Sequence, residues 1–216
     1  MLAGDTIFAG DSITVGLVPF VKVDGAKLMI AEGGKDSAWL LGALRGAERA
    51  GVLRRYRNLV VLIGTNDVGG GASSTEVFAR IAAIWALGEA NGLRVVPSTI
   101  PPVKGWPPFA RSFDAVNAKR KEINARIVAA APSDLVRSDL LLADPTDPDR
   151  LAPSVDSGDH LHPRKDVHGA ILSRELGASS APNGARAPSF VVPSFVFVGL
   201  AALAGVLVWL RKEDRL

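Results

Sequence analysis

The chain has 216 residues and a formal net charge of +3, with 25 cationic and 22 anionic side chains. This length fits one well-buried domain with a short appendage. Because no run of Lys or Arg is interleaved with aromatic residues, nothing indicates nucleic-acid binding. Cysteine is absent, which excludes disulfides, thiolate catalysis and cysteine-based metal sites.

Short aliphatic runs alternate with helical patterns, which predicts parallel strands joined by crossover helices. The predicted strands are Asp5 to Ala9, Lys27 to Ala31, Leu59 to Ile63, Leu93 to Ser98 and Asp134 to Arg137. The predicted helices are one that begins within Val15 to Val21, then Ser37 to Ala50, Thr75 to Ala90 and Ser112 to Ala130. Together they predict an α/β fold, a flavodoxin-like doubly wound sheet of five parallel strands that binds ligands at the carboxyl ends of its strands.

Two predicted helices have a marked pattern of apolar and charged positions. The apolar positions of the helix Ser37 to Ala50 are Trp39, Leu40, Leu41 and Leu44. The residues expected on the solvent face of the helix Ser112 to Ala130 are Lys119, Arg120, Lys121 and Glu122.

A Gly10-Asp11-Ser12 turn follows the first predicted strand and precedes an apolar stretch. A serine there has its Oγ at the open end of the sheet and its N–H near a helix N-terminus, where negative charge is favoured. Asn66 follows the third strand at the same edge, where its amide can bind a developing oxyanion. Considered separately, both segments also suit ordinary turns, the first with a helix N-cap.

The histidines lie within nine positions, at His160, His162 and His168. Asp159 stands three residues before His162, so its carboxylate can accept from Nδ1 and leave Nε2 free to take a proton from a serine. A polar surface loop is the alternative interpretation. An adventitious metal site is less favoured, because the segment lacks a fixed ligand scaffold.

In order and spacing these segments resemble the SGNH (GDSL-type) esterase and lipase superfamily, specifically its bacterial lysophospholipase-like and acetylesterase-like branch. The blocks that carry the resemblance are Gly10-Asp11-Ser12-Ile13-Thr14, Gly33-Gly34-Lys35-Asp36-Ser37, Gly64-Thr65-Asn66-Asp67 and Asp159-His160-Leu161-His162-Pro163. The similarity covers about residues 5 to 175. It implies an SGNH hydrolase fold in which Ser12 is the nucleophile, His162 is the general base and then acid, and Asp159 orients His162.

The same resemblance implies an oxyanion hole made by the backbone N–H groups of Ser12 and Gly34 and by the Asn66 amide, with no metal or organic cofactor. The second block departs from the family pattern, because Ala31-Glu32 stands where Asn usually precedes the glycines. Gly34 is preferred to Gly33 because polar residues follow it.

The final block also raises alternatives. His162 is preferred to His160 because it has the Asp-x-x-His spacing and precedes Pro163, whereas His168 is expected to be an exposed helix residue. The segment Arg164 to Gly169 departs from the family pattern downstream of the histidine.

Substrate specificity is expected from the loops Val68 to Ser74 and Pro101 to Phe109. Trp106 and Phe109 are candidates for an apolar wall beside an acyl chain or sugar, Trp106 alternatively packs on the domain, and Asp11 is a further candidate for substrate contact. The expected partner is a small acylated lipid or glycan, with an O-acetyl, short acyl or lysophospholipid ester. The competing hypotheses are a catalytically silent SGNH-like binding domain and a membrane or particle component whose tail matters more than its site.

The C-terminal region divides into a Pro/Gly/Ser-rich linker at 177–189, an uncharged run at 190–210 and a charged tail at 211–216, after a hydrolase domain at 1–176. The uncharged run has 21 residues, about 30 Å as a helix, which predicts a transmembrane segment that binds the lipid bilayer. Ala201 and Gly205 form a small-xxx-small pair suited to self-association. The lack of a visible signal peptide favours a membrane-anchored domain that faces the cytoplasm, whereas Arg211 and Lys212 favour the opposite orientation.

Overall fold

The fold is built around a central sheet. A computed structural model describes residues 2–131, 134–178 and 208–211 of the chain. The parallel strands of the sheet are β1 (Thr6–Gly10), β2 (Lys27–Ala31), β3 (Asn58–Leu62) and β4 (Arg94–Pro97). The order β4-β3-β1-β2 places the first strand in the centre, where Thr6 pairs with Lys27 on one side and Asn58 on the other. The predicted α/β fold with a parallel sheet is therefore confirmed.

The fifth predicted parallel strand, Asp134 to Arg137, is reduced to one bridge between Ser98 and Val136. A short helix, α6 (Ser138–Leu141), begins directly after Arg137 and ends the extended segment. The fifth strand of the sheet is instead β7 (Val208–Arg211), which runs antiparallel beside β2. The sheet therefore combines four parallel strands with one antiparallel edge strand.

Helices cover both faces of the sheet, as the doubly wound prediction requires. One face packs against α2 (Ser37–Arg49), α4 (Ser74–Ala90) and α5 (Phe113–Ala130), and the other against α1 (Ser12–Leu17) and α7 (Lys165–Ala178). Alternate residues of β1 serve the two layers, because Ile7 and Ala9 join the first core and Phe8 joins the second. The remaining short helices are α3 (Thr65–Val68) and the 3₁₀ turns Val18–Phe20, Leu53–Arg55 and Pro107–Phe109.

The prediction that Arg120 faces solvent is wrong. Four consecutive residues surround a helix and cannot share one face, and Arg120 points inward with 3% exposure. Its guanidinium donates to Asn117 Oδ1 at 2.9 Å and to Asp149 Oδ1 at 2.8 Å. Asp149 lies in a hairpin that the sequence patterns did not predict, formed by β5 (Ala143–Asp144) and β6 (Asp147–Leu151). Burial lowers the pKa of Arg120, and the nearby Asp149 and Asp139 carboxylates oppose that shift.

The C-terminal predictions fall mostly outside the described residues. Helix α7 continues to Ala178, so the first two residues of the predicted linker are helical. Three further segments lie outside the described ranges. They are the rest of the linker, residues 190–207 of the predicted membrane helix, and residues 212–216. Val208 to Leu210 belong to strand β7 rather than to a helix, in keeping with the strand preference of Val and Trp and the otherwise open edge of β2. Among the helices of the described ranges, none combines the length and apolar character needed to cross a bilayer.

Candidate active site

Ser12 is the first residue of α1, directly beyond the carboxyl end of the central strand. Asp11 caps this helix, because its Oδ1 accepts from the Ile13 N–H at 3.0 Å. A Cβ at Gly10 would collide with the Leu62 carbonyl oxygen and the Thr14 hydroxyl, so only glycine fits at the start of the turn. Ser12 thus stands at the N-terminal end of a helix dipole, which favours negative charge.

Asp11 does not contact the cleft, and its prediction as a substrate-binding residue is wrong. Its side chain points into the protein and is 1% exposed, and Oδ2 has no hydrogen-bond partner among the described residues. Burial raises the pKa of Asp11 to about 7, an effect that the Ile13 N–H and the nearby His162 oppose and the Asp67 carboxylate reinforces. The residue beside Ser12 is therefore a buried acid that caps α1.

His162 bridges Ser12 and Asp159. Its Nε2 lies 2.9 Å from Ser12 Oγ, and its Nδ1 lies 2.6 Å from Asp159 Oδ2. Partial burial raises the pKa of Asp159, but the N–H groups of His162 and Leu161 and the His162 ring outweigh it and lower the pKa to about 2. An ionised carboxylate only accepts hydrogen bonds, so Nδ1 donates to Asp159, an arrangement that in the neutral ring leaves the Nε2 lone pair facing Ser12.

The segment 156–163 forms a closed loop that holds this histidine. Asp156 and Pro163 form an antiparallel bridge, and the Ser157 N–H donates to the His162 carbonyl oxygen at 3.0 Å. Asp159 Oδ1 accepts from the His162 N–H at 2.8 Å, so the carboxylate orients both the backbone and the ring of the same residue. Within this loop His160 is paired with Asp156 and not with Ser12.

Asn66 and Gly34 are brought to the same cavity as Ser12 and His162. The Asn66 Nδ2 group donates one hydrogen to the Lys35 carbonyl oxygen at 2.9 Å, which leaves its second hydrogen for another acceptor. Gly34 has φ of +75°, a conformation that favours glycine, and a Cβ there would meet no atom within 4 Å. Of the two glycines considered, Gly34 lines the cavity.

Asp67 joins the second and third sequence blocks, a role that sequence reasoning missed. Its Oδ2 accepts from the Ser37 N–H at 2.9 Å and its Oδ1 from the Ser37 hydroxyl at 2.6 Å. Burial raises the pKa of Asp67, and the Ser37 hydrogen bonds oppose that rise. Lys119 fixes the other end of α3, donating to the carbonyl oxygens of Asp67 and Gly70 at 2.8 Å each. Only the position of Asp67 at the end of its block signals this role in the sequence.

The cavity beside Ser12 has a volume of about 510 Å³ and one largely apolar wall. Its lining residues are Ser12, Gly34, Thr65, Asn66, Gly69, Gly70, Trp106, Pro108, Phe109, Leu161 and His162. The Trp106 and His162 rings meet edge to face, with centroids 6.1 Å apart and an interplanar angle of 88°. Phe109 packs so closely on Gly69 that a Cβ there would collide with its ring. Trp106 and Phe109 therefore lie at the cavity, where they were expected.

His168 is buried rather than exposed, contrary to the sequence prediction. It is 3% exposed in α7, because its position in the helix turns the ring towards the protein interior. This burial lowers the pKa of His168 to about 4, so the ring is neutral at physiological pH.

Comparison with known proteins identifies relatives of the whole domain. Residues 8–170 match the GDSL-like Lipase/Acylhydrolase family. No curated protein sequence matches the chain.

Solved structures with the same fold include three enzymes. A GDSL-like lipase from Bacteroides thetaiotaomicron shares 24% identity at a TM-score of 0.66, over 82% of this chain and 89% of that one. A lipase/acylhydrolase from Enterococcus faecalis shares 16% identity at a TM-score of 0.61, over 84% and 99%. An acetyl xylan esterase shares 16% identity at a TM-score of 0.57, over 82% and 100%. At these identities the similarity establishes the fold.

Proposed function

The chain belongs to the GDSL-like lipase/acylhydrolase family and is a carboxylic ester hydrolase, and we propose that it uses Ser12, His162 and Asp159 as a catalytic triad. One observation carries this proposal, the continuous chain of contacts from Ser12 Oγ to His162 Nε2 at 2.9 Å and from His162 Nδ1 to Asp159 Oδ2 at 2.6 Å. The three side chains are thus already within the distances needed for proton transfer.

In the proposed first half-reaction, Ser12 Oγ attacks the ester carbonyl carbon while its proton passes to His162 Nε2. The ionised Asp159 stabilises the imidazolium that forms. The tetrahedral intermediate then collapses, and His162 gives the proton to the departing alcohol. In the second half-reaction water attacks the acyl-enzyme by the same route, and the carboxylic acid leaves as Ser12 regains its proton.

We propose that three donors stabilise the negative charge of each tetrahedral intermediate. They are the N–H groups of Ser12 and Gly34 and the second Nδ2 hydrogen of Asn66. The bond from Asn66 to the Lys35 carbonyl oxygen supports this role, because it holds the amide in place before charge develops. The hydrogen bonds of Asp67 to Ser37 hold the segment after Gly34 against the third block.

We propose that the substrate is a small acylated lipid or glycan that carries an O-acetyl, short acyl or lysophospholipid ester. The cavity of about 510 Å³ supports a short acyl group, and Trp106, Pro108, Phe109 and Leu161 supply an apolar surface for it. The acetyl xylan esterase among the similar folds makes acetylated glycans a useful first test.

The test is hydrolysis of p-nitrophenyl acetate, butyrate and longer esters by the full chain, with fluorophosphonate labelling as a second readout. Ser12→Ala should abolish labelling and reduce kcat by on the order of 10⁴-fold or more. Failure of the wild-type serine to react under any condition would favour the catalytically silent binding domain instead.

We also propose, from sequence alone, that residues 190–210 attach the enzyme to a membrane, an arrangement in which Val208 to Leu210 leave the edge of β2. In the proposed arrangement the hydrolase domain faces the cytoplasm, and Ala201 and Gly205 allow two membrane helices to pair. The full chain should then pellet with membranes and resist carbonate extraction, and protease access in intact cells should report the orientation. A fully soluble chain would contradict the anchor and agree with the pairing of β7 on β2.

A further inference from the structure

The loop 156–163 contains a second aspartate–histidine pair that the proposed mechanism does not use. His160 Nδ1 lies 2.6 Å from Asp156 Oδ2, the same separation as in the pair of His162 and Asp159. Asp156 Oδ1 also accepts from the N–H groups of Gly158 and His160, at 2.8 and 3.0 Å. The carboxylate therefore holds the backbone and the ring of His160 together.

His160 adopts the left-handed backbone conformation, which favours glycine. Its φ of +66° is the only positive value outside glycine in the described residues. Non-glycine residues in this region are strained, and they persist where surrounding contacts hold them. The contacts to Asp156 provide that hold and fix the position of the imidazole.

The His160 side chain lies directly against Gly105, in the loop that carries the aromatic wall of the cavity. A Cβ built on Gly105 would lie 2.9 Å from His160 Cβ and 3.0 Å from its Cγ. Gly105 immediately precedes Trp106, whose ring meets the His162 ring edge to face. His160 is thus linked to the cavity through this loop, although it does not line the cavity itself.

A second attachment holds the same loop at Lys104, next to Gly105 in the chain. The Lys104 N–H donates to the Asp149 carbonyl oxygen at 2.9 Å, and Lys104 Nζ lies 2.8 Å from Asp147 Oδ2. Both partners belong to β6, so the loop is attached to that strand as well as to His160. Loss of His160 would therefore remove one of these two attachments while Lys104 keeps the other.

We propose that Asp156 and His160 form a positioning pair that holds Gly105 and Trp106 against His162 and so sets the width of the acyl side of the cavity. The pair takes no part in proton transfer, because Ser12 is bonded to His162. This inference rests on the proposed esterase function and adds a determinant of acyl-chain selectivity to it.

The test is a double-mutant cycle between His160→Gly and Trp106→Ala in the full chain. Glycine accepts a φ of +66°, so His160→Gly removes the contact without imposing strain. We expect it to raise KM for the preferred p-nitrophenyl ester about fivefold and change kcat less than about twofold. If His160 acts through Trp106, adding His160→Gly to Trp106→Ala should cause no further loss.

Asp156→Asn is the matched milder variant, because its oxygen can still accept the two backbone N–H groups while the bond to His160 weakens. It should shift KM in the same direction by a smaller factor. Multiplicative effects in the double mutant, an unchanged KM in His160→Gly, or a loss confined to kcat would each overturn the proposal.

A fluorescence readout separates failure of this inference from failure of the esterase function. In the wild-type and the His160→Gly backgrounds, the Trp106 fluorescence is obtained as the difference between the protein with Trp106 and the same protein with Trp106→Phe. Acrylamide should quench this fluorescence more strongly in His160→Gly. This result holds whether or not any ester is hydrolysed. An unchanged accessibility would overturn the positioning role even in an active enzyme.

Discussion

The two sides of the cavity are built by different kinds of contact. On the catalytic side, defined by Ser12, His162 and Asp159, hydrogen bonds of 2.6 to 2.9 Å link the functional groups in series. On the wall side, defined by Gly69, Gly70 and the loop segment 105–109, the Phe109 ring packs on the backbone of Gly69, and the Trp106 ring meets the His162 ring of the catalytic side edge to face.

This difference separates chemistry from selectivity. Hydrogen bonds fix atoms within a few tenths of an ångström, which proton transfer requires. Packing of rings on glycines fixes a shape, and a small change in that shape alters which acyl group fits. Changes on the catalytic side should therefore lower kcat for every ester, whereas changes on the wall side should reorder the preferred esters.

Asp159→Asn should have the largest effect on the catalytic side. The amide cannot hold the Nδ1–H tautomer of His162 as the carboxylate does, so kcat should fall by on the order of 10⁴-fold. The measurement is kcat across the ester panel, with circular dichroism as the check on folding. A loss seen for some acyl lengths and not others would break the separation between the two sides.

Asn66→Ala should have the next largest effect. Removal of one oxyanion donor typically lowers kcat by about 10²- to 10³-fold, with little change in KM. Asn91→Ala is the matched control, because the Asn91 amide donates to Leu87 and Glu48 away from the cavity. Equal activities for the two variants would remove Asn66 from the oxyanion hole.

Asp11→Asn tests whether the buried Asp11 carboxyl makes the free energy of unfolding depend on pH. The folded pKa of Asp11 is raised to about 7, so the unfolded chain releases this proton first, and the wild type loses stability as pH rises from about 4 to about 7. The loss approaches an upper limit of about 4 kcal/mol, at about 1.4 kcal/mol per pKa unit. Asp11→Asn should lack this loss.

The measurement for Asp11 is the free energy of unfolding by urea at pH 4 and pH 8 for both proteins. Comparing the pH difference within each protein removes any pH-independent cost of the substitution. Parallel pH curves for the two proteins would show that Asp11 ionises normally.

Gly69→Ala should have the smallest effect and should be confined to the wall side. The added methyl group displaces the Phe109 ring, so kcat/KM should change by about three- to tenfold for longer esters and least for acetate. Gly71→Ala is the matched control, because a Cβ at Gly71 meets no atom within 4 Å. A uniform loss across all esters in Gly69→Ala would contradict the separation.

The parallel sheet and the blocks that follow its strands were predictable because both depend on local pattern. Aliphatic runs located β1 to β4 within a few residues, and Ser12 and Asn66 follow the ends of β1 and β3 by two and four residues. The carboxyl ends of parallel strands meet at one edge, so this placement alone brings the two residues together.

The environment of single side chains was less predictable, because it depends on partners distant in the chain. Arg120 turns inward to reach Asp149, 29 residues away in the β5–β6 hairpin. Asp11 and His168 are both buried, although each stands in a stretch whose local pattern does not report burial. The Asp-x-x-His spacing does not predict the pairing of His160 with Asp156, which stands four residues earlier.

The central position of β1 has a consequence for synthesis of the protein. Ser12 leaves the ribosome early, but its partner His162 lies 150 residues later. A nascent chain therefore carries the proposed nucleophile without its proposed base until almost the whole domain has been made. The proposed mechanism therefore makes hydrolytic activity a late event of synthesis, because the loop that carries His162 follows every parallel strand of the sheet in the chain.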